Sequence, residues 1–375
     1  MKMITSFLVL IFINCTNPKE KIDVSLNRDS IDSNTKHAQL NSSKEIVFSD
    51  TSKSDISENN STDNIQDSSN IIKYLPGNYS TTGTVDYTNE LQKAFNENKD
   101  ILMPNFPIAV NFSGLSVKSD SKITFQSGSK LIVLPNSNAK YQALLIKNIN
   151  NVKIINPVLV GDRDQHTGTT GEWGMGINIL SSSNITIVNP KIKNFWGDAI
   201  YIGRNENSIS YCNTIKVTGG ILDNNRRNGI SIISGKDITV SNMIIKNTNG
   251  TSPMAGIDLE PNLKDELLYN INLNNITTIN NKIDGIKVVF QKLTDQNKVL
   301  INIDNHNDQG SPNPLTLVGL ENVNNDKLSG VLNYTNPKWN NMNSKVKVQR
   351  ALSPNLKLNI NQVNVNGKML NKSIK

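Results

Sequence analysis

Two carboxylates lie one residue apart in the stretch MAGIDLEPN, residues 254–262. Side chains of a strand alternate between its two faces, so Asp258 and Glu260 share one face while Ile257 and Leu259 share the other. The Cβ atoms of such a pair lie about 6.5–7 Å apart. Carboxyl groups that hydrolyse glycosidic bonds lie roughly 6.5–9.5 Å apart when they act with inversion and about 5–5.5 Å apart when they act with retention. The spacing therefore predicts an acid and a base or nucleophile for glycosidic cleavage.

An acid pair of this kind also separates the protonation states of its members. Each carboxylate repels the charge of the other, so one keeps its proton while the other ionises, as acid and base roles require. Asp258 and Glu260 are therefore the first catalytic candidates, and Asp198 is the next. The structural alternative is a surface acid pair that neighbouring cations neutralise.

The sequence also contains residues suited to binding a sugar chain, which stacking of the coils would bring near the acid pair. Arg226 and Arg227 are adjacent guanidinium groups, which bind a carboxylate or a sulfate through paired hydrogen bonds. Trp173 and Trp196 offer aromatic faces for a pyranose ring. The predicted binding set is Glu172, Trp173, Trp196, Tyr201, Arg204, Arg226, Arg227 and Lys287. The structural alternatives are an arginine salt bridge to Asp223 or Asp258, and tryptophans that cover the edge of a turn.

The elements that position these residues are copies of a repeat. Five segments show apolar alternation that ends at a turn residue: VKIIN (152–156), ITIVN (185–189), IKVTG (215–219), ITVSN (238–242) and INLNN (271–275). Asn and Gly tolerate a left-handed backbone, so we expect the same bend in each copy. A second alignment follows in GMGINIL, GDAIYIG, RNGISII, AGIDLEP and IDGIKVV, with copies about 23 to 30 residues apart. The period predicts a solenoid, and the two-residue alternation excludes helical repeats.

The predicted fold is all-β, a single-stranded right-handed parallel β-helix over residues 72–375. The segment GTVDYTNELQKAFNENKD predicts a short N-terminal helix, with Thr88 as its cap and Leu91 and Phe95 as its apolar stripe. We expect this helix to cap the first coil, because the open end of a solenoid exposes unpaired backbone groups.

Stacking turns the alignment columns into spatial neighbours, because equivalent residues of adjacent strands lie about 4.8 Å apart. The inward column is predicted to be Ile177, Ile200, Ile230, Ile257 and Ile286. The outward column that follows it is Asn178, Tyr201, Ser231, Asp258 and Lys287. Asp258 is therefore expected between Ser231 and Lys287, with Arg226 and Arg227 at the preceding turn.

The N-terminus predicts export. In residues 1–15, MKMITSFLVLIFINC, Lys2 precedes an apolar run that is too short to span a bilayer, which is the layout of a secretory signal. Its last residue, Cys15, resembles the lipidated cysteine of bacterial lipoproteins. Residues 16–71 are rich in Ser, Asn, Asp and Lys and predict a disordered tether. We expect a cell-surface or outer-membrane lipoprotein whose membrane contact is only this lipid anchor, or else a secreted protein.

Charge and composition narrow the partners. A formal net charge of +7 over 375 residues suits an anionic partner. The acids, arginines and aromatic rings predicted to lie together favour an acidic polysaccharide over nucleic acid. His37, His166 and His306 are too scattered along the chain to predict a zinc site, and no cofactor is expected. Cys212 is the one cysteine beyond the signal, so no internal disulfide is expected.

The opening VDYTNELQKAF…ILMP and the coils that follow resemble the pectin-lyase-like superfamily of right-handed β-helix proteins over most of residues 72–375. GDAIYIG (197–203) is similar to the GDDCIAIG-type motif of family 28 glycoside hydrolases, the polygalacturonase group. Ala199 and Asn228 replace the second Asp and the His of that group, so only Asp198 is carried over from its catalytic set. The resemblance implies a protein that acts on polysaccharides.

Three functions are compatible with these observations. The first is a glycoside hydrolase acting on an anionic polysaccharide, with Asp258 and Glu260 as the catalytic pair. The second is a polysaccharide lyase in which Lys287 or an arginine removes the proton next to a uronate carboxyl group and acidic residues hold Ca²⁺. The third is a non-catalytic glycan-binding or adhesion solenoid. The identity of the sugar and the oligomeric state do not follow from the sequence.

Overall fold

The computed structural model describes residues 69–205, 210–322, 327–340 and 345–370. The predicted signal with Cys15 and the tether up to residue 68 lie outside the described residues. Ser69–Asn70 pairs with Asp100–Met103, and Ile71 is fully buried. Residues 69–71, which the sequence assigned to the tether, therefore belong to the folded body.

The described residues form a parallel β-solenoid with one α-helix. The helix is α1, Thr88–Glu97, and Ile71–Tyr74 and Arg163–Gln165 are short 3₁₀ turns. The strands in chain order are β1 Ser69–Asn70, β2 Asp100–Met103, β3 Pro107–Val110, β4 Leu115–Ser116, β5 Lys122–Phe125, β6 Lys130–Val133, β7 Lys140–Lys147, β8 Asn150–Ile155, β9 Val158–Val160, β10 Trp173–Leu180, β11 Ser183–Val188, β12 Lys191–Lys193, β13 Ile200–Gly203, β14 Cys212–Thr218, β15 Ile221–Asp223, β16 Ile230–Ile232, β17 Gly235–Lys246, β18 Ala255–Leu259, β19 Leu268–Ile279, β20 Asp284–Val289, β21 Lys298–Asp304, β22 Asn307–Gln309, β23 Asn313–Val318, β24 Ser329–Thr335, β25 Lys338–Trp339, β26 Val346–Gln349, β27 Leu356–Asn361, β28 Val363–Val365 and β29 Lys368–Leu370.

Two sheets wind around one apolar core. The nine-stranded sheet stacks in the order β4, β7, β10, β13, β16, β18, β20, β23 and β26, and the other described strands form a second, 20-stranded sheet. The described strand pairs are parallel except for the final pair, β28 with β29. The predicted inward isoleucines of the nine-stranded sheet pair in register, and all five are fully buried. The predicted parallel β-helix and its stacking register are thus confirmed.

The bend at the end of each apolar segment has the predicted left-handed backbone. The φ values are 53° at Asn156, 51° at Asn189, 69° at Gly219, 57° at Asn242 and 54° at Asn275. The side chains form a ladder on the outside of the corner. Asn189 Nδ2 donates to Asn156 Oδ1 at 3.1 Å, and Asn275 Nδ2 donates to Asn242 Oδ1 at 3.0 Å. The asparagines therefore supply both the backbone conformation and hydrogen bonds between coils.

The helix α1 packs on the first coil, as predicted, with Leu91 and Phe95 in the core. The side chain of Gln92 completes the edge strand β4: its Nε2 donates to Ser116 O at 3.0 Å, and its Oε1 accepts from Ser116 N at 2.8 Å. The predicted cap is wrong, because Thr88 is the first helical residue and Asp86 accepts hydrogen bonds from its N–H and its hydroxyl. Asp86 therefore supplies the acceptor at this end of the helix.

Candidate functional site

The outer face of the nine-stranded sheet carries the predicted outward column. Asn178, Tyr201, Ser231, Asp258 and Lys287 occupy equivalent positions of five consecutive strands. A second outward column lies three residues earlier, and its members reach diagonally to the first column of the next coil. Ser231 Oγ donates to Asp198 Oδ2 at 2.7 Å, and Thr316 Oγ1 donates to Asp284 Oδ1 at 2.6 Å. Polar hydrogen bonds of this kind start from Asp198, Asn228 and Asp284, whereas Met175 and Ala255 interrupt the second column.

Asp258 is completely buried beneath this face. Its Oδ2 accepts a long hydrogen bond of 3.4 Å from Asn228 Nδ2, and its Oδ1 has no hydrogen-bond partner among the described residues. Lys287 Nζ lies 3.9 Å from that oxygen. Burial, followed by the charge of Glu260, raises the pKa of Asp258 well above its usual range. Burial thus favours the protonated form of Asp258.

Glu260 is the accessible member of the pair, with 26% of its side chain exposed. Lys287 Nζ donates to its Oε1 at 3.4 Å, and Arg227 Nη2 lies 3.7 Å from its Oε2. Burial acts to raise the pKa of Glu260, but contact with the Asp258 carboxyl and the charges of Lys287 and Arg227 outweigh it and lower that pKa. The two carboxyl groups therefore have opposite shifts, as the sequence analysis predicts for an acid and a base.

Arg227 connects the acids of this cluster. Its Nη1 donates to Asp198 Oδ2 at 3.0 Å, and its Nε lies 3.6 Å from Glu172 Oε2. Although burial acts to lower it, the neighbouring carboxylates, Asp198 foremost, raise the pKa of Arg227. A guanidinium group so surrounded stays charged and fixes the side chains around it.

Asp198 is fully buried and has three donors. Arg227 and Ser231 bond its Oδ2, and the backbone N–H of Asn228 donates to its Oδ1 at 3.0 Å. Burial raises the pKa of Asp198, and the charge of Arg227 opposes that shift. With its oxygens occupied by protein donors, Asp198 is placed to position Arg227 and Ser231 rather than to contact a substrate.

Arg226 points away from the acid pair, although it is adjacent to Arg227 in the sequence. Its guanidinium carbon lies 3.9 Å from the centroid of the Trp196 ring, and its Nη1 donates to Gly171 O at 2.7 Å. The His166 ring stacks on the same indole at 4.0 Å. With Arg226 and His166 both stacked on it, the Trp196 ring is engaged by protein side chains and is not free to stack on a sugar ring. Arg226 and Trp196 therefore hold the long loop, residues 161–172, against the sheet.

The predicted aromatic surface is thus supplied by one tryptophan in place of two. Trp173 has 46% of its surface exposed and lines a depression on the nine-stranded sheet. Lys140, Gln142, Leu145, Lys147, Met175, Asn178, Leu180, Tyr201, Arg204 and Asn205 line the same depression. Arg204 also pairs with Asp265 at 2.8 Å and with Glu266 at 3.5 Å. Tyr201 lies next to Ser231, so the depression opens toward the acid cluster.

Sequence reasoning missed the contribution of Asn228 to the site. Asn228 accepts a hydrogen bond from Ala255 N at 3.0 Å and donates to Ser231 and to Asp258. Its signal was present, because Asn228 occupies the same column as Asp198 one coil later. In the described part of the chain, no group of three or more His, Cys, Asp or Glu side chains could hold a metal ion, and no helix is long and apolar enough to cross a membrane.

Comparison with known sequences finds partial matches. No family model matches the chain. The uncharacterised protein YclG of Bacillus subtilis is 31% identical over 161 residues, which are 40% of this chain and 28% of YclG. The SPbeta prophage-derived uncharacterised protein YorA of the same organism is 28% identical over 162 residues, which are 39% of this chain and 28% of YorA. The chain thus spans about 28% of the length of these relatives.

Comparison with solved structures identifies parallel β-helices. The Streptococcus pneumoniae surface protein and adhesin PfbA matches with a TM-score of 0.55 at 12% identity, over 80% of this chain and 86% of that one. The tailspike protein of E. coli bacteriophage HK620 matches with a TM-score of 0.50 at 9% identity, over 79% and 61%. A polygalacturonase from Erwinia carotovora ssp. carotovora matches with a TM-score of 0.48 at 13% identity, over 78% and 98%. Identities this low show the fold alone, which is a parallel β-helix, as predicted.

Proposed function

We propose that this protein cleaves a polysaccharide by glycosidic hydrolysis on the outer face of its nine-stranded sheet. The observation that carries the proposal is the acid pair at the end of β18. One carboxyl group, Asp258, is buried and its pKa is raised, while the other, Glu260, is accessible and its pKa is lowered. Two carboxyl groups in different protonation states are what hydrolysis of a glycosidic bond requires.

The roles follow from the surroundings of each group. Glu260, which is open to solvent and flanked by two cations, acts as the base or the nucleophile. Asp258 acts as the acid that protonates the leaving oxygen. Because Asp258 is covered in this structure, the proposal requires the flexible side chain of Lys287 to move aside when substrate enters. Its Nζ lies 3.9 Å from Asp258, beyond hydrogen-bonding distance, so that contact is weak.

The substrate class rests on the surface beside the acids. The depression next to Tyr201 combines the exposed Trp173 ring with polar and cationic side chains, which suits a sugar chain that continues across several coils. Similarity of fold alone does not identify the substrate, because the same fold serves many functions.

Hydrolysis is better supported than β-elimination. A lyase needs an uncharged base to remove a proton from carbon, and Lys287 and Arg227 are the groups at hand. Both are engaged in ion pairs with carboxylates, Arg227 with Asp198 and Glu260 and Lys287 with Glu260. An adhesin that only binds glycans is the remaining alternative, since PfbA, an adhesin, has this fold.

We further propose that the protein acts outside the cell, on the cell surface or in secreted form, with Cys15 as the lipid attachment point. The support is the sequence layout of residues 1–15. Labelling of Cys15 with a fatty-acid analogue in cells, lost in Cys15→Ser, would establish the anchor.

The test of the function is a screen of the purified protein against polygalacturonate, alginate, hyaluronan, chondroitin sulfate and neutral glucans. Hydrolysis produces new reducing ends without ultraviolet absorbance, whereas elimination produces unsaturated uronates that absorb in the ultraviolet. Absorbing products would replace the hydrolase with the lyase. Binding to a glycan without any new reducing ends would leave the adhesin.

A further inference from the structure

We propose that the Glu172 carboxylate occupies an anion-binding edge of Arg227 in the free protein, and that the carboxylate of an acidic sugar displaces it when substrate binds. The inference rests on the proposed function in one respect: it places a sugar unit beside Asp258 and Glu260. It adds the substrate class, a uronate-containing polymer, and names Arg227 as the residue that binds the uronate carboxylate.

One edge of the Arg227 guanidinium is firmly bonded and the other is not. Nη1 donates to Asp198 at 3.0 Å. On the remaining edge, Nε lies 3.6 Å from Glu172 and Nη2 lies 3.7 Å from Glu260, which are ion-pair distances beyond ordinary hydrogen bonds. Arg227 Nε is a buried donor without a hydrogen-bond partner among the described residues. A buried donor left unpaired is costly, so this edge favours a better-placed acceptor.

The backbone of Glu172 is held in place while its carboxylate is free to turn. The preceding residues are anchored, because Arg226 Nη1 donates to Gly171 O at 2.7 Å and Trp196 Nε1 donates to Thr170 O at 3.2 Å. The side chain of Glu172 is 35% exposed, and its contact with Arg227 is long at 3.6 Å. Rotation of this one side chain therefore exposes the Nε atom without moving the loop, while Nη2 keeps only its long contact with Glu260.

The charge of the cluster favours replacement of the Glu172 carboxylate by the sugar carboxylate over binding of the sugar carboxylate beside it. The cluster places four carboxyl groups, Asp198, Asp258, Glu172 and Glu260, around the two cationic side chains Arg227 and Lys287. Adding a sugar carboxylate would increase an existing excess of negative charge by one. Replacing Glu172 at Arg227 moves that excess toward solvent, where water screens it.

The geometry of the ligand then decides the exchange. A carboxylate can accept from Nε and Nη2 together in a bidentate arrangement, which the present glutamate does not achieve. A neutral sugar hydroxyl accepts only one weaker hydrogen bond and gains nothing from the positive charge. The edge therefore discriminates acidic from neutral sugars.

The test compares Glu172→Gln with the unchanged protein in binding assays by isothermal titration calorimetry. The probes are oligosaccharides of polygalacturonate, alginate and hyaluronan, each paired with its carboxyl-reduced, uncharged form. Removing the charge of Glu172 is expected to tighten binding of at least one acidic probe by about fivefold, which is the contribution of a partly exposed ion pair to affinity. Binding of the matched neutral probe should stay unchanged.

The matched control is Asp164→Asn, which removes one negative charge from the same loop at a residue that bonds Asn194 instead of Arg227. An equal gain in this control would show a general field effect and overturn the proposal. Weaker or unchanged acidic binding in Glu172→Gln, an equal gain for the neutral probe, or failure of all acidic probes to bind would also overturn it. Because binding is measured without turnover, a protein that cleaves nothing can still pass or fail this test.

Discussion

The two carboxyl groups of the acid pair differ in their pKa shifts because of their burial more than because of their chemistry. Asp258 lies under the face and lacks a strong donor, whereas Glu260, two residues later, meets Lys287 and Arg227 at the surface. Sequence alternation placed the two on one face, but it could not show that one would be covered, because the cover comes from a lysine of the next coil. The same limit applies to Arg226 and Arg227, which diverge because each meets different partners across coils.

Replacement of the accessible acid should abolish cleavage. Glu260→Gln keeps the shape but loses the ionised form, and we expect kcat to fall by about 10²- to 10⁴-fold, the usual contribution of a general base. The measurement is the release of reducing ends from the polysaccharide that the screen identifies. Glu321→Gln is the control, since Glu321 is an exposed acid that forms a surface ion pair with Lys292 at 2.7 Å. Full activity in Glu260→Gln would exclude Glu260 from the chemistry.

The buried acid makes stability depend on pH in a known direction. Asp258 has a raised pKa in the folded state, so its contribution is present below its unfolded pKa and is lost as the pH rises through the folded value. Asp258→Asn resembles the protonated side chain at every pH. We therefore expect its Tm relative to the unchanged protein to increase from pH 4 to pH 8, as measured by differential scanning calorimetry. A difference that is constant with pH would mean that Asp258 is ionised throughout this range.

Elements of this fold owe their regular bends to single residues. The corner column adopts the left-handed region in every copy, at asparagines and at Gly219, and its asparagines bond to one another on either side of that glycine. This column could be predicted from sequence, because a bend that recurs with the repeat needs the same backbone each time. The sandwich of Trp196 between Arg226 and His166 could not be predicted, because it joins a loop to two coils through side chains alone.

The backbone role of the column can be separated from its hydrogen bonds at Asn275. This residue has a φ of 54°, donates to Asn242 and accepts from Asn305. Asn275→Gly and Asn275→Ala both lose these hydrogen bonds, but only alanine opposes the left-handed backbone. We expect the alanine variant to be less stable than the glycine variant by about 1–2 kcal/mol in urea unfolding. Equal stabilities would show that the ladder, and not the bend, is what the asparagine supplies.

Across the whole molecule, the coils depend on their neighbours in sequence order. Each coil buries its apolar face against the adjacent ones, so stability is a sum of local and nearest-neighbour contributions. The architecture was accessible from sequence for this reason, since the repeat and its two-residue alternation admit few other arrangements. The helix α1 and its Gln92 contact with β4 end the stack on one side.

Loss of packing at one end should therefore loosen that end first. Phe95→Ala removes a buried ring from α1, and changes of this kind cost about 3–5 kcal/mol. We expect faster hydrogen exchange, measured by mass spectrometry, in β2, β3 and β5, with little change at β18 and β20. Phe290→Ala is the matched variant, because Phe290 is also fully buried but follows β20 near the other end. If both variants accelerated exchange uniformly, the molecule would unfold as one cooperative unit.

The hydrogen bonds that join neighbouring coils in the acid cluster also limit where a coil can be added to this solenoid. Solenoids grow by duplication of a coil, and one additional coil displaces everything beyond it by one strand spacing of about 4.8 Å. An insertion before β10 or after β20 would leave Asp198, Arg227, Asn228 and Asp258 in their present relation. An insertion between β16 and β18 would preserve the core yet separate Asn228 from Asp258. The acid cluster therefore fixes the coil number within a short interval, while the remainder of the solenoid stays free to vary in length.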